Sequence, residues 1–466
     1  LWLKSSSNEL RKSCYIMSSL KKLALLGSLW TLLGYGSSQF IRLGGNVILT
    51  RLLAPELFGL MATLMTLIVA LNFLSDVGLA PIVVQHKRGD DPIFLNTVWT
   101  LQIIRGFFIW FGCLLISWPI AQLYNDERLL WLMPIFSLTS LISGFNSTSL
   151  LTLNRQVALK KITILDLGVQ SFSLSIMLIW AFLHPTIWAL VVGNLISATL
   201  TMILSYRLIP NYFNRFAWEQ TAARDILSFG KWIFISTAFY FLATQSDRLI
   251  LAKLTSFEIL GIYTIACTLA LFPQSVIGML SSKVLLPVFS QLMDLPRESL
   301  RLKMLKNRRL LLLGISCLII PLVCFGDWLI LFMYDARYKQ AAWMLPILAL
   351  GIWPNVLLET NRQALTALGK LNYQAYGQIL KSIHMCLGLL LGFYLFGLPG
   401  LIIMVALNDL ELYAIISYGL WREKLSCFQQ DILMTILILS AIILTLTVRK
   451  LAGYGLPIDL MFESAH

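Results

Sequence analysis

The chain has 466 residues, 58% hydrophobic and 13% charged, about half the charged share of an ordinary soluble protein. That composition excludes a soluble globular enzyme and leaves a polytopic membrane protein, since each bilayer crossing takes about 20 apolar residues. The net charge of +13 suggests a nucleic-acid binder only until it is mapped along the chain, where it reads as membrane topology.

Residues 1–23 read as a cytoplasmic segment. Within it, 1–16 are polar and irregular, and Met17-Ser-Ser-Leu-Lys-Lys looks like a natural start before a span, so 1–16 read as an upstream extension. Apolar runs long enough to span are predicted at 24–50, 57–80, 93–118, 129–152, 163–183 and 186–207, which form an N-lobe over 24–207. A cytoplasmic link at 208–228 follows. Runs at 229–252, 258–282, 310–333, 341–367, 376–396 and 398–420 then form a C-lobe over 229–420. A thirteenth, shorter run at 431–448 lies in the C-terminal segment 421–466, either spanning or resting on the surface.

Six plus six is also what an internal repeat requires. Val47–Ala62 returns 202 residues later as Leu249–Thr264: Ile48, Leu49, Leu52, Glu56 and Gly59 recur as Ile250, Leu251, Leu254, Glu258 and Gly261. Trp131-Leu-Met-Pro134-Ile recurs as Trp343-Met-Leu-Pro346-Ile, and Asn154-Arg155-Gln156 as Asn361-Arg362-Gln363. With the N-terminus in the cytoplasm, 26 lysines and arginines fall on that side and 7 on the other, which sets the orientation. The expected fold is all-α: two six-helix lobes related by a pseudo-twofold axis along the membrane normal, with a binding site between them.

Arg42, Arg105 and Arg248 lie inside predicted spans, where a cation costs roughly 2.5–3.5 kcal/mol unless it faces protein or water. Tyr35, Gln39, Arg42 and Asn46 share one helix face, and the 202-residue shift maps that stripe onto Thr237, Phe241, Thr244 and Arg248. Arg42, Arg248, Arg105, Gln39, Asn46 and Thr244 are therefore expected to line a wet, cationic cavity. Asp247 cannot pair with Arg248 locally, because adjacent helical residues point apart.

Intramembrane acids form a second set. Asp409 and Glu411 have no cation within one helical turn, and with Glu359 they are the candidates for ion coupling, by proton or sodium. Glu359 is three residues from Arg362, so mutual neutralisation competes with that role. Asp76 reads as a helix-end residue. Gly34, Gly36, Gly44 and Gly45 suit close packing, and Pro273 and Pro354 are expected to kink their helices.

Seven scattered cysteines and four dispersed histidines offer no metal spacing. No phosphate loop, zinc-protease or serine-hydrolase motif occurs, so no catalytic residue, metal or cofactor is expected and the chain does not read as an enzyme.

The run Arg51–Gln85 followed by Leu95-Asn-Thr-Val-Trp99 resembles the bacterial polysaccharide flippases of the O-antigen and colanic-acid type. These belong to the multidrug/oligosaccharidyl-lipid/polysaccharide exporter superfamily. Trp188-Ala-Leu, Phe229-Gly, Gln245-x-Asp-Arg248 and Gly261-x-Tyr263 extend the likeness over roughly 20–425. The resemblance implies a V-shaped pair of lobes in the bacterial inner membrane. It implies alternating-access transport of an undecaprenyl-diphosphate-linked oligosaccharide to the outer leaflet, by a monomer working beside polymerase and export machinery. Cavity arginines would contact the diphosphate; only Arg248 of the two lies in a recognised motif. The link after the fourth span departs from the pattern, being poorer in arginine. A multidrug exporter or a peptidoglycan-precursor flippase of the same fold is the alternative, and a membrane glycan polymerase or ligase the remote one.

Overall fold

The computed structural model describes residues 34–463 except 77, 157, 211, 293 and 294. The N-terminal segment and the start of the first span lie outside the described residues. All regular structure among the described residues is helical.

In chain order come α1 (34–52), α2 (Pro55–Leu74), α3 (Leu79–Gln85) and α4 (Pro92–Tyr124). Next are α5 (Arg128–Gly144), α6 (Ser149–Arg155), α7 (Leu159–Leu183), α8 (Trp188–Ser205) and α9 (Gln220–Leu254). Then follow α10 (Phe257–Ala270), α11 (Phe272–Leu280), a π-helical turn at Ser281–Leu285, α12 (Leu286–Gln291), α13 (Arg297–Met333) and α14 (Ala341–Ala367). The chain continues through α15 (Asn372–Ile383), a second π turn at His384–Gly388, α16 (Leu389–Leu407), α17 (Leu410–Arg422), α18 (Phe428–Leu451) and α19 (Asp459–Glu463). Among the described residues nine helical stretches are long and apolar enough to cross a membrane, or ten if α5 and α6, bent by 61°, form one span. The chain is a multi-pass membrane protein.

Local chemistry sets the boundaries. Asp91 caps α4 by accepting from the Ile93 N–H, with Pro92 at the first helical position, and Asn125 ends that helix in a left-handed conformation (φ 54°). Ser256 caps α10 by accepting from the Ile259 N–H. The 51-residue helical stretch Asn372–Arg422 would be about 77 Å long if straight, far beyond one bilayer. It turns at Gly397, whose φ of 64° and ψ of −149° suit glycine alone. Pro354 sits inside an uninterrupted α14, whereas Pro273 lies at the start of α11, where the chain resumes after Leu271.

Helices outrun the apolar runs that predict them. α9 begins at Gln220 and α13 at Arg297, because charged side chains in water continue a helix as readily as apolar ones in lipid. α18 extends past the predicted 431–448 at both ends.

Packing groups residues up to 52 with 71–235, and 53–70 with 236–466. In the first unit α4 lies along α5, α7 along α8, and α5 against α8. Gly34 and Gly45 of α1 face Thr163 and Leu174 of α7 so closely that a Cβ on either glycine would overlap them. Gly36 and Gly44 face open space. In the second unit α14 is central, its apolar window 78% buried against 22% for α18. It packs against α10, α13, α16 and α17.

The second unit also contains the second copy of the sequence repeat together with residues 53–62 of the first. A Cβ built on Gly59 would come within 1.7 Å of the Phe257 carbonyl oxygen, and one on Gly261 within 1.9 Å of the Pro55 oxygen. Positions 55 and 59 are the repeat equivalents of 257 and 261, so α2 and α10 cross reciprocally, backbone on backbone. Only glycine permits that approach.

Candidate functional site

On α1 the predicted polar stripe is a hydrogen-bonded chain. Arg42 Nη2 donates to Gln39 Oε1, and Gln39 Nε2 donates to Tyr35 Oη at 2.5 Å. Gln39 is buried, Arg42 exposed and Asn46 half-buried. Arg42 lies nine residues before Arg51, about 14 Å along the helix. A neighbouring bond, Ser38 Oγ to Gln170 Oε1 at 2.7 Å, ties the helix to α7.

On α9 the same device recurs. Arg248 Nη1 donates to Gln245 Oε1 at 3.2 Å, again a glutamine three residues earlier on the helix. Thr244 turns its hydroxyl back to the Tyr240 carbonyl, 2.7 Å away. Asp247, next to Arg248, instead accepts from the buried Tyr263 hydroxyl at 2.5 Å, as expected from helix geometry. The Gln-x-x-Arg spacing common to both helices was legible in the sequence but is not produced by the 202-residue shift, which aligns Arg42 with Thr244.

Arg105 is engaged elsewhere. Its Nε donates to Ser75 Oγ at 3.1 Å and its Nη2 to the Asn72 carbonyl at 2.8 Å, so it neutralises the C-terminal end of α2. Asp76 accepts from the Gly78 N–H at 2.9 Å and closes the turn that follows.

Asp409 and Glu411, with no cation within one helical turn, find basic partners more distant in the chain. Their partners come from a different helix. Asp409 Oδ1 is 2.6 Å from Lys381 Nζ, and its Oδ2 accepts from Asn355 Nδ2 at 2.9 Å, with both partners buried. Glu411 Oε1 is 2.6 Å from His384 Nδ1. Arg362 closes on Glu359 at 2.6 Å, the mutual neutralisation their spacing suggests. Asp409 is not inside a helix but at the break between α16 and α17. Lys381 reads in sequence as one of the charges near the loop at 370, and His384 as an isolated histidine, so neither was identified there.

Two further buried pairs were also missed. Arg308 of α13 meets Asp431 of α18 at 2.7 Å, with Asn361 and Tyr413 completing the carboxylate's shell at 3.1 and 3.0 Å. At the other end of the same two helices Arg449 grips Asp327 through both nitrogens. Asp327 and Asp431, isolated acids in apolar runs, were the available signal.

Outside the membrane, Arg88 binds Asp91 at 2.5 Å and Glu219 at 2.7 Å. Its hydrogen bonds, helped by that of Thr221, pull the Glu219 carboxyl down to about 2. The Arg88 hydrogen bond and the Ile93 N–H likewise lower Asp91. Among the described residues no group of three metal-ligating side chains occurs.

These helices form an all-α, multi-pass membrane fold. The chain aligns with the lipid II flippase MurJ in its inward closed conformation at TM-score 0.68, covering 95% of this chain and 96% of that one at 15% identity. It aligns with an inward-facing MATE multidrug transporter of the MOP superfamily at TM-score 0.63, covering 82% and 94% at 12% identity. Residues 48–343, more than half the chain, match the family described as "Polysaccharide biosynthesis protein", and the chain belongs to that family. It is 22% identical over 289 residues to the lipopolysaccharide biosynthesis protein WzxC of Escherichia coli, covering 62% of this chain and 58% of that protein. It is 24% identical to the teichuronic acid biosynthesis protein TuaB of Bacillus subtilis, covering 60% and 58%. To the succinoglycan biosynthesis transport protein ExoT of Rhizobium meliloti it is 24% identical, covering 69% and 65%. The matched region thus spans less than two thirds of the length of these relatives.

Proposed function

We propose that the protein is a flippase moving a polyprenyl-diphosphate-linked oligosaccharide from the cytoplasmic to the outer leaflet of a bacterial inner membrane, with its N-terminus in the cytoplasm. One observation carries the reading. Arg308, Arg362, Lys381 and Arg449 each face a carboxylate, whereas among the described residues the side-chain partners of Arg42 and Arg248 are glutamines. A glutamine orients a guanidinium without cancelling its charge, which suits an anionic ligand. A diphosphate carries about two negative charges and cannot cross hydrocarbon unaided. An inside-negative potential favours its outward movement by about 2.3 kcal/mol per charge per 100 mV. In this reading Arg42, with Gln39 and Asn46 on its helix, and Arg248, with Thr244 on its helix, are each a contact for the diphosphate, and Arg105 supports α2. Glu411 is the coupling acid, while Asp409 and Glu359 are held in fixed pairs.

The test is reconstitution in liposomes with a labelled polyprenyl-diphosphate oligosaccharide, followed by its appearance in the outer leaflet. Arg42→Gln with Arg248→Gln is expected to lower the rate by about a hundredfold or more, the loss of two charge-assisted contacts of roughly 1.5–3 kcal/mol each. Lysine at both positions should retain part of it. Equal transport by the folded glutamine variant would overturn the arginine assignment. Failure of wild type on polyprenyl diphosphates, with export of a cationic dye, would overturn the flippase reading.

A further inference from the structure

His384 occupies the π-helical turn between α15 and α16, and both of its ring nitrogens face acceptors. Nδ1 is 2.6 Å from Glu411 Oε1, and Nε2 is 3.0 Å from the Met404 carbonyl oxygen. A backbone carbonyl can only accept, so Nε2 must carry a proton. A second proton must then lie between Nδ1 and Oε1. Without it, a nitrogen lone pair would face a carboxylate at hydrogen-bonding distance. The arrangement is satisfied by imidazolium with carboxylate, or by neutral imidazole with carboxylic acid, and by no state holding one proton fewer. Glu411 Oε2 is buried with no hydrogen-bond partner, so nothing else in the described structure would hold the carboxylate once the imidazole turned away.

We propose that His384 and Glu411 form a single-proton binding site, and that release of this proton separates the π turn from α17. The surrounding charges favour occupancy. Lys381 on α15 is matched by Asp409, and Glu359 on α14 by Arg362. From α9, which reaches Cys386 through Ser246, Asp247 is bonded to Tyr263 and Arg248 to Gln245. With its proton the His384–Glu411 pair is neutral overall; without it, an uncompensated carboxylate remains with one oxygen buried, which is costly. Deprotonation therefore drives the contact apart, and a π turn is a segment of helix able to change register. The proton enters from water and returns to it, with no other bond made or broken. The use of this site in transport rests on the flippase reading above; its existence as a proton site does not.

The experiment is 15N NMR of histidine-labelled protein in liposomes, with His384→Gln assigning one of the four histidines. Amide exchange of 384–388 is followed in parallel. At neutral pH the assigned ring is expected to show the second proton, on Nδ1 or shared with Glu411. As the pH rises its loss should coincide with protection factors for 384–388, taken relative to the intrinsic base-catalysed exchange rate, lower by about tenfold or more. Glu411→Gln, nearly isosteric, should give a neutral ring and low, pH-independent protection factors, while Asp409→Asn should leave the histidine signal in place. A ring indifferent to Glu411→Gln, or one that titrates without a change in protection, overturns the proposal. Normal behaviour here with no lipid transport in the same liposomes would overturn the transport reading and leave the proton site standing.

Discussion

A charged side chain inside this protein is tolerated according to what faces it. Arg308 is fully buried against Asp431, and stripping away one partner would leave the other charged in a dry interior. Arg308→Met alone is expected to cost about 3–5 kcal/mol, whereas Arg308→Met with Asp431→Leu should recover most of that loss, since apolar replacement of a whole buried pair is commonly near neutral. Thermal unfolding in detergent measures both. At the aqueous edge the sign runs through Glu219. Its folded carboxyl titrates at about 2, below its ordinary value of 4.5. Its contribution is therefore complete above pH 4.5 and lost as pH falls from there through 2. The difference in melting temperature between wild type and Glu219→Gln should be constant at neutral pH and close over that acidic window.

At the scale of elements, two devices organise the second unit. The reciprocal crossing of α2 and α10 requires glycine at both 59 and 261. Alanine at either would push the helices apart, at a cost of about 1–3 kcal/mol. One separation makes room for both methyl groups, so the double substitution should cost clearly less than the sum of the single ones. Equilibrium unfolding of the three variants checks this, and strict additivity would refute a shared crossing. The second device is the pairing of α13 with α18. Residues 308 and 327 lie 19 apart and residues 431 and 449 lie 18 apart, about 28 and 27 Å along their helices, close to the roughly 30 Å of a hydrocarbon core. The ion pairs thus sit at the two ends of one apolar contact, and the side chains between them, including Ile319, Cys324, Ile438 and Ile442, form a buried cluster.

For the whole molecule, Phe428–Leu451 is among the helices long and apolar enough to cross a membrane, and we propose from its pairing along α13 that it crosses. With the N-terminus in the cytoplasm, a topology reporter fused after Leu451 is expected on the outer side. Cytoplasmic activity of that fusion would reverse either the crossing or the orientation drawn from the 26 to 7 distribution of positive charge.

Much of the architecture follows from composition and period alone. Apolar runs of spanning length place helices because lipid leaves backbone groups no partner but their own helix. The repeat marks Gly59 and Gly261 as equivalent positions, and the polar stripe marks Gln39 and Arg42. What sequence could not determine was which charges meet. Lys381 reaches Asp409 across 28 residues, His384 reaches Glu411 across 27, and Arg308 reaches Asp431 across 123. Local spacing identifies partners only within a helical turn, as for Glu359 and Arg362. Partners supplied by another helix depend on how helices pack and rotate, and that is decided by tertiary structure.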